Sequence, residues 1–200
     1  MSDPKQENKS KTELKVVFLG SAGVGKTSII NSFMYGQFTN QYEITIGVDY
    51  FTKPIKVGEE TVNLQIWDTA GQEKFHSLIP TYIRDTSIAV LVYDVSKPQS
   101  FESAKEWYEK VLEYRGNEAK CVLAGNKIDL EIKVEESSIH SFTESTQMEH
   151  IQVSAKTGDH IHELFEKIAK ESKSIVPQDK GEVVTVNAKQ VQNDGQKICC

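Results

Sequence analysis

The apolar residues of this chain fall into short runs, separated by longer stretches in which apolar residues recur with helical spacing. The runs predict buried strands at residues 15–20, 61–68, 87–94, 120–126 and 150–154, and residues 50–58 add a sixth strand. Helical spacing is clearest in two series: Phe101, Ala104, Trp107, Tyr108, Val111 and Leu112, then Ile161, Leu164, Phe165, Ile168 and Ala169. This alternation predicts an α/β fold, a doubly wound, mostly parallel six-stranded sheet with helices on both faces.

One pair of strands should be antiparallel, because Gly58-Glu59-Glu60 is expected to join strands 50–58 and 61–68 in a hairpin. The chain has 200 residues, of which 38% are hydrophobic, and this suits one globular domain with a substantial core. We place that domain at residues 14–176. Residues 1–13 are expected to be a flexible extension, and residues 177–200 a flexible tether.

Charge and the scattered polar residues narrow the function classes. The net charge is −6 and no basic stripe is visible, which argues against nucleic-acid binding. His160 and His162 should face different sides of a helix, and the other histidines lie far apart in sequence. We expect all five to be solvated. Cys121 lies in a predicted buried strand and is expected to be a core residue.

The segment Gly20-Ser21-Ala22-Gly23-Val24-Gly25-Lys26-Thr27 matches the phosphate-binding pattern G-x-x-x-x-G-K-[ST] at every required position. It follows the apolar run 16–19, so a buried strand should lead into a tight loop and then into a helix that begins near Gly25. The N–H groups and dipole of that helix would face an anion. Lys26 should reach the outer phosphates, the Thr27 hydroxyl should bind Mg²⁺, and Ser28 should line the same site.

A second motif predicts which base is bound. Asn126-Lys127-Ile128-Asp129 follows another apolar run and should lie at the carboxyl edge of the sheet. Asp129 would accept two hydrogen bonds from guanine, Asn126 would brace the loop, and the Lys127 stem would cover one face of the base. Adenine cannot satisfy that carboxylate, so discrimination on the order of 10⁴ is expected. Ser154-Ala155-Lys156 would form the second wall, with the Ala155 N–H available to the guanine O6.

A third motif carries the predicted chemistry. Asp68-Thr69-Ala70-Gly71-Gln72-Glu73 follows the alternating segment 62–67. Asp68 should hold the magnesium ion through a water, the Gly71 N–H should sense the terminal phosphate, and Gln72 should orient the attacking water. Gln72 and Lys26 are thus the predicted catalytic residues for in-line attack of water on a γ-phosphate.

With these elements in this order and spacing, residues 14–175 resemble a GTPase of the Ras superfamily, and specifically a Rab. Trp67 before Asp68, the run 42–50 and the terminal Cys199-Cys200 look like Rab features. Segments 33–35 and 77–86 are most similar to the Golgi-associated branch. The resemblance implies three further site residues. Thr45 would bind magnesium and the γ-phosphate, Phe38 would stack edge-on against the base, and Tyr42 would close over the phosphates.

The resemblance also implies a function. It implies a slow GTP-hydrolysing switch that controls vesicle trafficking as a monomer on the cytoplasmic face of intracellular membranes, expected to be Golgi membranes, and that cycles with the cytosol. Residues 38–49 and 71–86 would be the switches that effectors read. The implied regulators are a GTPase-activating protein, an exchange factor, a GDP-dissociation inhibitor and a prenylation escort. Residues 38–49 contain no arginine or lysine that could act as a built-in finger, so catalysis is expected to need the activating protein.

One residue of the phosphate loop departs from the Ras pattern. Ala22 stands where Ras proteins need glycine, and its methyl group would either crowd Gln72 and slow hydrolysis or be neutral.

Two alternative functions remain open at the level of sequence. A scaffold that keeps GTP bound would share every motif except efficient catalysis, and Ala22 keeps this alternative open. A P-loop phosphotransferase would share Gly20 to Thr27, but it needs an acceptor pocket and an arginine-bearing lid, and the sequence indicates neither.

The tail predicts membrane attachment. Cys199-Cys200 resembles a Rab site for two geranylgeranyl groups. Within residues 177–198, three lysines are matched by three acids, so charge adds no attraction to a membrane and both lipids should be needed. A flexible tether of this length reaches roughly 26 Å. Residues 1–13 contain neither a signal-peptide core nor a myristoylation glycine.

Overall fold

A computed structural model of the chain describes residues 12–39, 45, 47–69 and 79–171. In this part of the chain the strands are β1 (Thr12–Leu19), β2 (Val48–Val57), β3 (Glu60–Thr69), β4 (Ile88–Asp94), β5 (Lys120–Asn126) and β6 (Glu149–Val153). The α-helices are α1 (Lys26–Tyr35), α2 (Ile79–Ile83), α3 (Pro98–Arg115), α4 (Glu136–Thr146) and α5 (Ile161–Lys170). A short 3₁₀ turn at Gly116–Glu118 follows α3.

The strands form one six-stranded sheet in the order β2-β3-β1-β4-β5-β6. Only β2 and β3 pair antiparallel among the described strands, and the other pairs are parallel. Helices α1 and α5 cover one face, and α3 and α4 cover the other. The predicted doubly wound, mostly parallel six-stranded sheet is therefore confirmed.

Strand β4 lies near the middle of the sheet and explains why the hydrophobic pattern there is a continuous run. All seven of its residues are buried, since helices cover both of its faces. Alternate residues contribute to the two cores. Val90 packs in the cluster under α1 and α5, whereas Leu91 packs in the cluster under α3 and α4.

The start of β1 and the turn between β2 and β3 show what the apolar pattern misses and what it predicts. β1 begins at Thr12, two residues inside the predicted flexible extension, because Thr12 and Glu13 pair with β3 through the backbone while their side chains stay exposed. The β2–β3 hairpin forms at the expected turn, with Val57 opposite Glu60. Gly58 has φ 66°, a left-handed value that glycine adopts without strain.

The expectation that all histidines are solvated is wrong for His150. Its side chain is half-buried on β6, with Nε2 3.0 Å from the Tyr93 hydroxyl. Burial lowers the pKa of His150, and the positive charge of Lys167 lowers it further. The residue lies on β6, the edge strand of the sheet, where its ring stacks on Tyr93 with the ring centroids 6.1 Å apart.

No helix in the described part of the chain is long and apolar enough to cross a membrane.

Because the strands other than β2 run in one direction, their carboxyl ends meet at one edge of the sheet. The last residues of β3, β4 and β5 are Thr69, Asp94 and Asn126. In open α/β sheets ligands bind at this edge. The loop after β1 lies there too.

Candidate nucleotide-binding site

The loop between β1 and α1 is shaped by close neighbours. Gly20 has φ 149° and Gly25 has φ 97°, both outside the range that most residues adopt. A Cβ at Gly20 would lie 2.3 Å from the Val92 carbonyl oxygen, and one at Gly25 would lie 2.3 Å from Asn126 Nδ2. Both glycines are therefore required by packing against β4 and β5, a reason that the motif alone did not reveal.

Lys26 is the first residue of α1 and is only 5% exposed. Its Nζ donates to the carbonyl oxygens of Gly20 at 2.8 Å and Ser21 at 3.1 Å, so the loop wraps around the ammonium group. Burial lowers the pKa of Lys26 to about 8, although the charge of Asp68 opposes the shift. A phosphate beside this group would offset its lost hydration and favour the charged form.

Three oxygen-bearing side chains converge next to Lys26. Thr27 Oγ1 donates to Asp68 Oδ2 at 2.6 Å and lies 2.9 Å from Thr45 Oγ1. Asp68 is fully buried, and its Oδ1 has no hydrogen-bond partner among the described residues. Burial raises the pKa of Asp68 to about 6, partly offset by the Thr27 hydrogen bond and the Lys26 charge. A buried carboxylate oxygen beside two hydroxyls is a donor set that fits Mg²⁺.

The residues predicted to read guanine lie together at the ends of β5 and β6. Ser154 Oγ donates to Asp129 Oδ1 at 2.6 Å and accepts from the Thr157 N–H at 3.1 Å. Lys156 Nζ lies 3.6 Å from Asp129 Oδ2. The buried Ser154 hydroxyl thus orients the Asp129 carboxylate, as a positioned acceptor for two donors would require.

Asn126 joins the phosphate loop to the segment after β6. Its Nδ2 donates to the Val24 carbonyl at 2.9 Å, and its Oδ1 accepts from the Ala155 N–H at 3.1 Å. The sequence assigned the Ala155 N–H to the guanine O6. In this arrangement the base would have to share that donor with Asn126, or displace it.

Lys127 adds a second link to the phosphate loop. It has φ 70°, unusual for a residue with a side chain, and its Nζ donates to the Gly23 carbonyl at 2.8 Å. The same Nζ lies 2.7 Å from Asp94 Oδ2. Sequence reasoning missed Asp94, yet the signal was present, since Asp94 ends an apolar strand just as Asp68 lies at the end of an alternating one.

The remaining predicted residues fall into two groups. Those around the phosphate loop or close to it in sequence are described: Ala22 and Phe38 are exposed, Ser21 and Ser28 are half-buried, and Val24 is buried. The others lie outside the described residues: Tyr42, Gly71, Gln72, Cys199 and Cys200. Their roles stay predictions.

A glycine-bounded loop, a buried lysine at a helix start and an oxygen cluster at the carboxyl edge of a parallel sheet define a P-loop nucleotide-binding protein. A model of the Ras family matches residues 15–174, and the chain therefore belongs to the Ras family. Members of this family are small GTPases that use Mg²⁺ with GTP and GDP. They act as switches with regulators that stimulate hydrolysis or nucleotide exchange.

Proposed function

We propose that this protein is a Rab-type GTPase, a membrane-tethered switch that controls vesicle trafficking at Golgi membranes and cycles with the cytosol. The Rab assignment rests on the run 42–50, on Trp67 before Asp68 and on Cys199-Cys200. The switch mechanism is carried by one observation, the 2.9 Å contact between the Thr45 and Thr27 hydroxyls. That contact connects the first proposed switch segment to the phosphate site.

The contact links the bound nucleotide to the order of the first proposed switch segment. Thr45 belongs to residues 38–49, whereas Thr27 is anchored in α1 and hydrogen-bonded to Asp68. A terminal phosphate and its cation at this point would hold Thr45 and order the segment around it. Hydrolysis would remove that anchor, so the segment would be released, and a partner that requires the ordered surface would dissociate.

A partner has an aromatic surface to read between the two proposed switches. Tyr50 on β2 is 50% exposed, and its ring centroid lies 5.3 Å from that of Trp67 on β3. Trp67 lies 6.4 Å from Tyr82 on α2, within residues 71–86. Tyr50 is exposed, whereas Trp67 and Tyr82 are half-buried against the core under α3 and α4. Aromatic rings that reach the surface in a row are typical of surfaces that bind proteins. This row supports effector binding through residues 38–49 and 71–86.

The proposed reaction is in-line attack of water on the γ-phosphate. Lys26 and the loop N–H groups would stabilise the charge on the transferred phosphoryl group, and Gln72 would orient the water. When bound, Mg²⁺ would be held by Thr27, Thr45 and Asp68 and would neutralise phosphate charge. Ras gives the scale: about 10⁻⁴ per second alone and about 10⁵-fold faster with an activating protein.

The proposed membrane anchor is a pair of prenyl groups on Cys199 and Cys200. Two lipid chains give stable anchoring where one chain is marginal. A GDP-dissociation inhibitor that shields both lipids would account for cycling with the cytosol, and an escort protein would present the tail for prenylation.

Nucleotide analysis of purified full-length protein tests this proposal. We expect co-purified guanine nucleotide, slow single-turnover hydrolysis of GTP and strong acceleration by a Rab-directed activating protein. GTP that persists with every activating protein would favour the scaffold instead, and transfer of the γ-phosphate to a small metabolite would favour a phosphotransferase. Extraction of the GDP-loaded, prenylated protein from vesicles by a Rab GDP-dissociation inhibitor tests the Rab assignment, and failure of that extraction would contradict it.

A further inference from the structure

Asp94 is a buried acid at the carboxyl end of β4. It is 1% exposed, and Val95 and Ser96 continue the chain toward α3. Its Oδ1 accepts hydrogen bonds from the Ser96 N–H at 3.0 Å and from Ser96 Oγ at 2.6 Å. These two bonds fix the carboxylate, so Oδ2 has a defined direction.

Oδ2 faces Lys127. The distance from Oδ2 to Lys127 Nζ is 2.7 Å, which is short for an ion pair. Burial alone would raise the pKa of Asp94, but the nearby Lys127 ammonium and the hydrogen bonds from Ser96 outweigh it and hold the pKa below its ordinary value. The acid is thus charged at neutral pH.

The pair occurs because of strand register. Asp94 lies directly opposite Asn126 in the β4–β5 pairing, and Lys127 is the next residue of the chain. Lys127 leaves β5 in a left-handed conformation and sends Nζ to Asp94 and to the Gly23 carbonyl, 2.8 Å away. Its stem is therefore fixed at both ends, between β5 and the phosphate loop.

We infer that Asp94 is a positioning residue for guanine nucleotide: its fixed carboxylate holds Lys127 across the base site and against the phosphate loop, and this sets the lifetime of the bound nucleotide. The inference rests on the guanine-binding part of the proposed function. Gly23 alone offers Lys127 one neutral acceptor. Without the carboxylate, the ammonium would lose its only ion-pair partner among the described residues, and the stem would be free to leave the base.

The test is release of a fluorescent GDP analogue from full-length protein in Mg²⁺ with excess unlabelled GDP. Asp94→Asn keeps the size of the side chain and removes its charge, and we expect release about 10- to 100-fold faster than in wild type. Lys127→Met should release fast as well. The double variant should release no faster than Lys127→Met, because Asp94 acts through Lys127.

Two comparison variants separate positioning from a structural role. Glu102→Gln also removes a carboxylate from a lysine pair, the exposed Glu102–Lys105 pair on α3, and should release GDP at the wild-type rate. Ser96→Ala removes one hydrogen bond to Asp94 but leaves the ion pair, and release should change less than about threefold. Asp94→Ser serves as a second variant if Asp94→Asn folds poorly.

The outcomes are distinct. Wild-type release from Asp94→Asn or Asp94→Ser would overturn the inference, and so would effects of Asp94→Asn and Lys127→Met that multiply in the double variant. Faster release that matches a fall in the thermal midpoint of every variant, Glu102→Gln included, would assign Asp94 a structural role and also overturn it. If wild type does not bind guanine nucleotide at all, the proposed function itself fails, before the variants are compared.

Discussion

At the scale of single residues, the candidate site is built from charged groups that are buried and oriented by short hydrogen bonds. Asp68, Asp94 and Lys26 are each no more than 5% exposed. Burial penalises each charge, so each is kept only where an opposite charge or a ligand offsets the cost. The site is thus suited to bind an anion together with a cation.

Base selectivity belongs to this scale. Asp129→Asn should lower GTP affinity by at least about 100-fold and raise affinity for xanthosine triphosphate, since the amide can donate to the xanthine carbonyl but no longer accepts from both guanine donors. Competition binding with the two nucleotides measures the switch. Ser154→Ala, which removes only the hydroxyl that orients the carboxylate, should weaken GTP binding without creating xanthine preference. Full GTP affinity in Asp129→Asn would show that another group reads the base.

The two locked states also depend on single side chains. Gln72→Leu should retain GTP, since leucine cannot orient water, whereas Thr27→Asn should favour GDP because it removes the hydroxyl between Asp68 and Thr45. Single-turnover hydrolysis with an activating protein and the ratio of GTP to GDP affinity distinguish them. Equal turnover in Gln72→Leu and wild type would argue against water positioning by that residue.

At the scale of elements, the phosphate loop is held from outside by neighbouring strands. Asn126 binds the Val24 carbonyl, Lys127 binds the Gly23 carbonyl, and Gly20 packs on the carbonyl of Val92. The conformation of the loop is therefore fixed by contacts with β4 and β5 as well as by its own glycines. Substitutions in those two strands should thus alter the phosphate-binding site.

A pair of glycine substitutions tests this packing. Gly20→Ala should lower the free energy of unfolding by about 2–3 kcal/mol, since the added Cβ would press on the Val92 carbonyl oxygen. Gly36→Ala, with φ 64° but nothing within 4 Å of the added Cβ, should cost only about 1 kcal/mol. Denaturant unfolding of the GDP-bound proteins compares them. Equal costs would show that the Val92 contact relaxes freely.

At the scale of the whole molecule, the GTPase domain and the proposed membrane anchor are expected to be separable. The proposed anchor lies in residues 177–200, while every described site residue lies within residues 15–174, the span that matches the Ras family. The three lysines of residues 177–198 are matched by three acids, so charge offers little attraction to an anionic membrane.

Membrane residence should therefore depend on Cys199 and Cys200 together. The Cys199→Ser/Cys200→Ser protein should be cytosolic yet bind and hydrolyse GTP normally, and each single variant should leave membranes faster than wild type. Cell fractionation and nucleotide assays of the same proteins measure both properties. Cys121→Ala is the matched control and should remain membrane-bound. A substantial membrane fraction of the double variant would mean that another segment holds the protein there.

The sequence predicted the strands well, since β4 and β5 are apolar runs whose signal is local. The start of β1 was missed because its first two residues pair through the backbone and expose their side chains. His150 was misjudged because nothing near it in sequence reveals Tyr93, 57 residues away. These two failures share a cause. The local hydrophobic pattern predicts which side chains are buried, but it does not show which residue of another strand lies next to them.

The sequence by itself determined the alternation of strands and helices that predicts a parallel sheet, the phosphate loop, and the acid and amide at strand ends that predict a guanine nucleotide, because each of these signals lies in residues adjacent in the chain. Only the tertiary structure decided which of these groups touch. It paired Asp94 with Lys127, set Asn126 between Val24 and Ala155, and made Gly20 a packing requirement. Such contacts depend on strand order and register, which arise from the packing of the whole sheet.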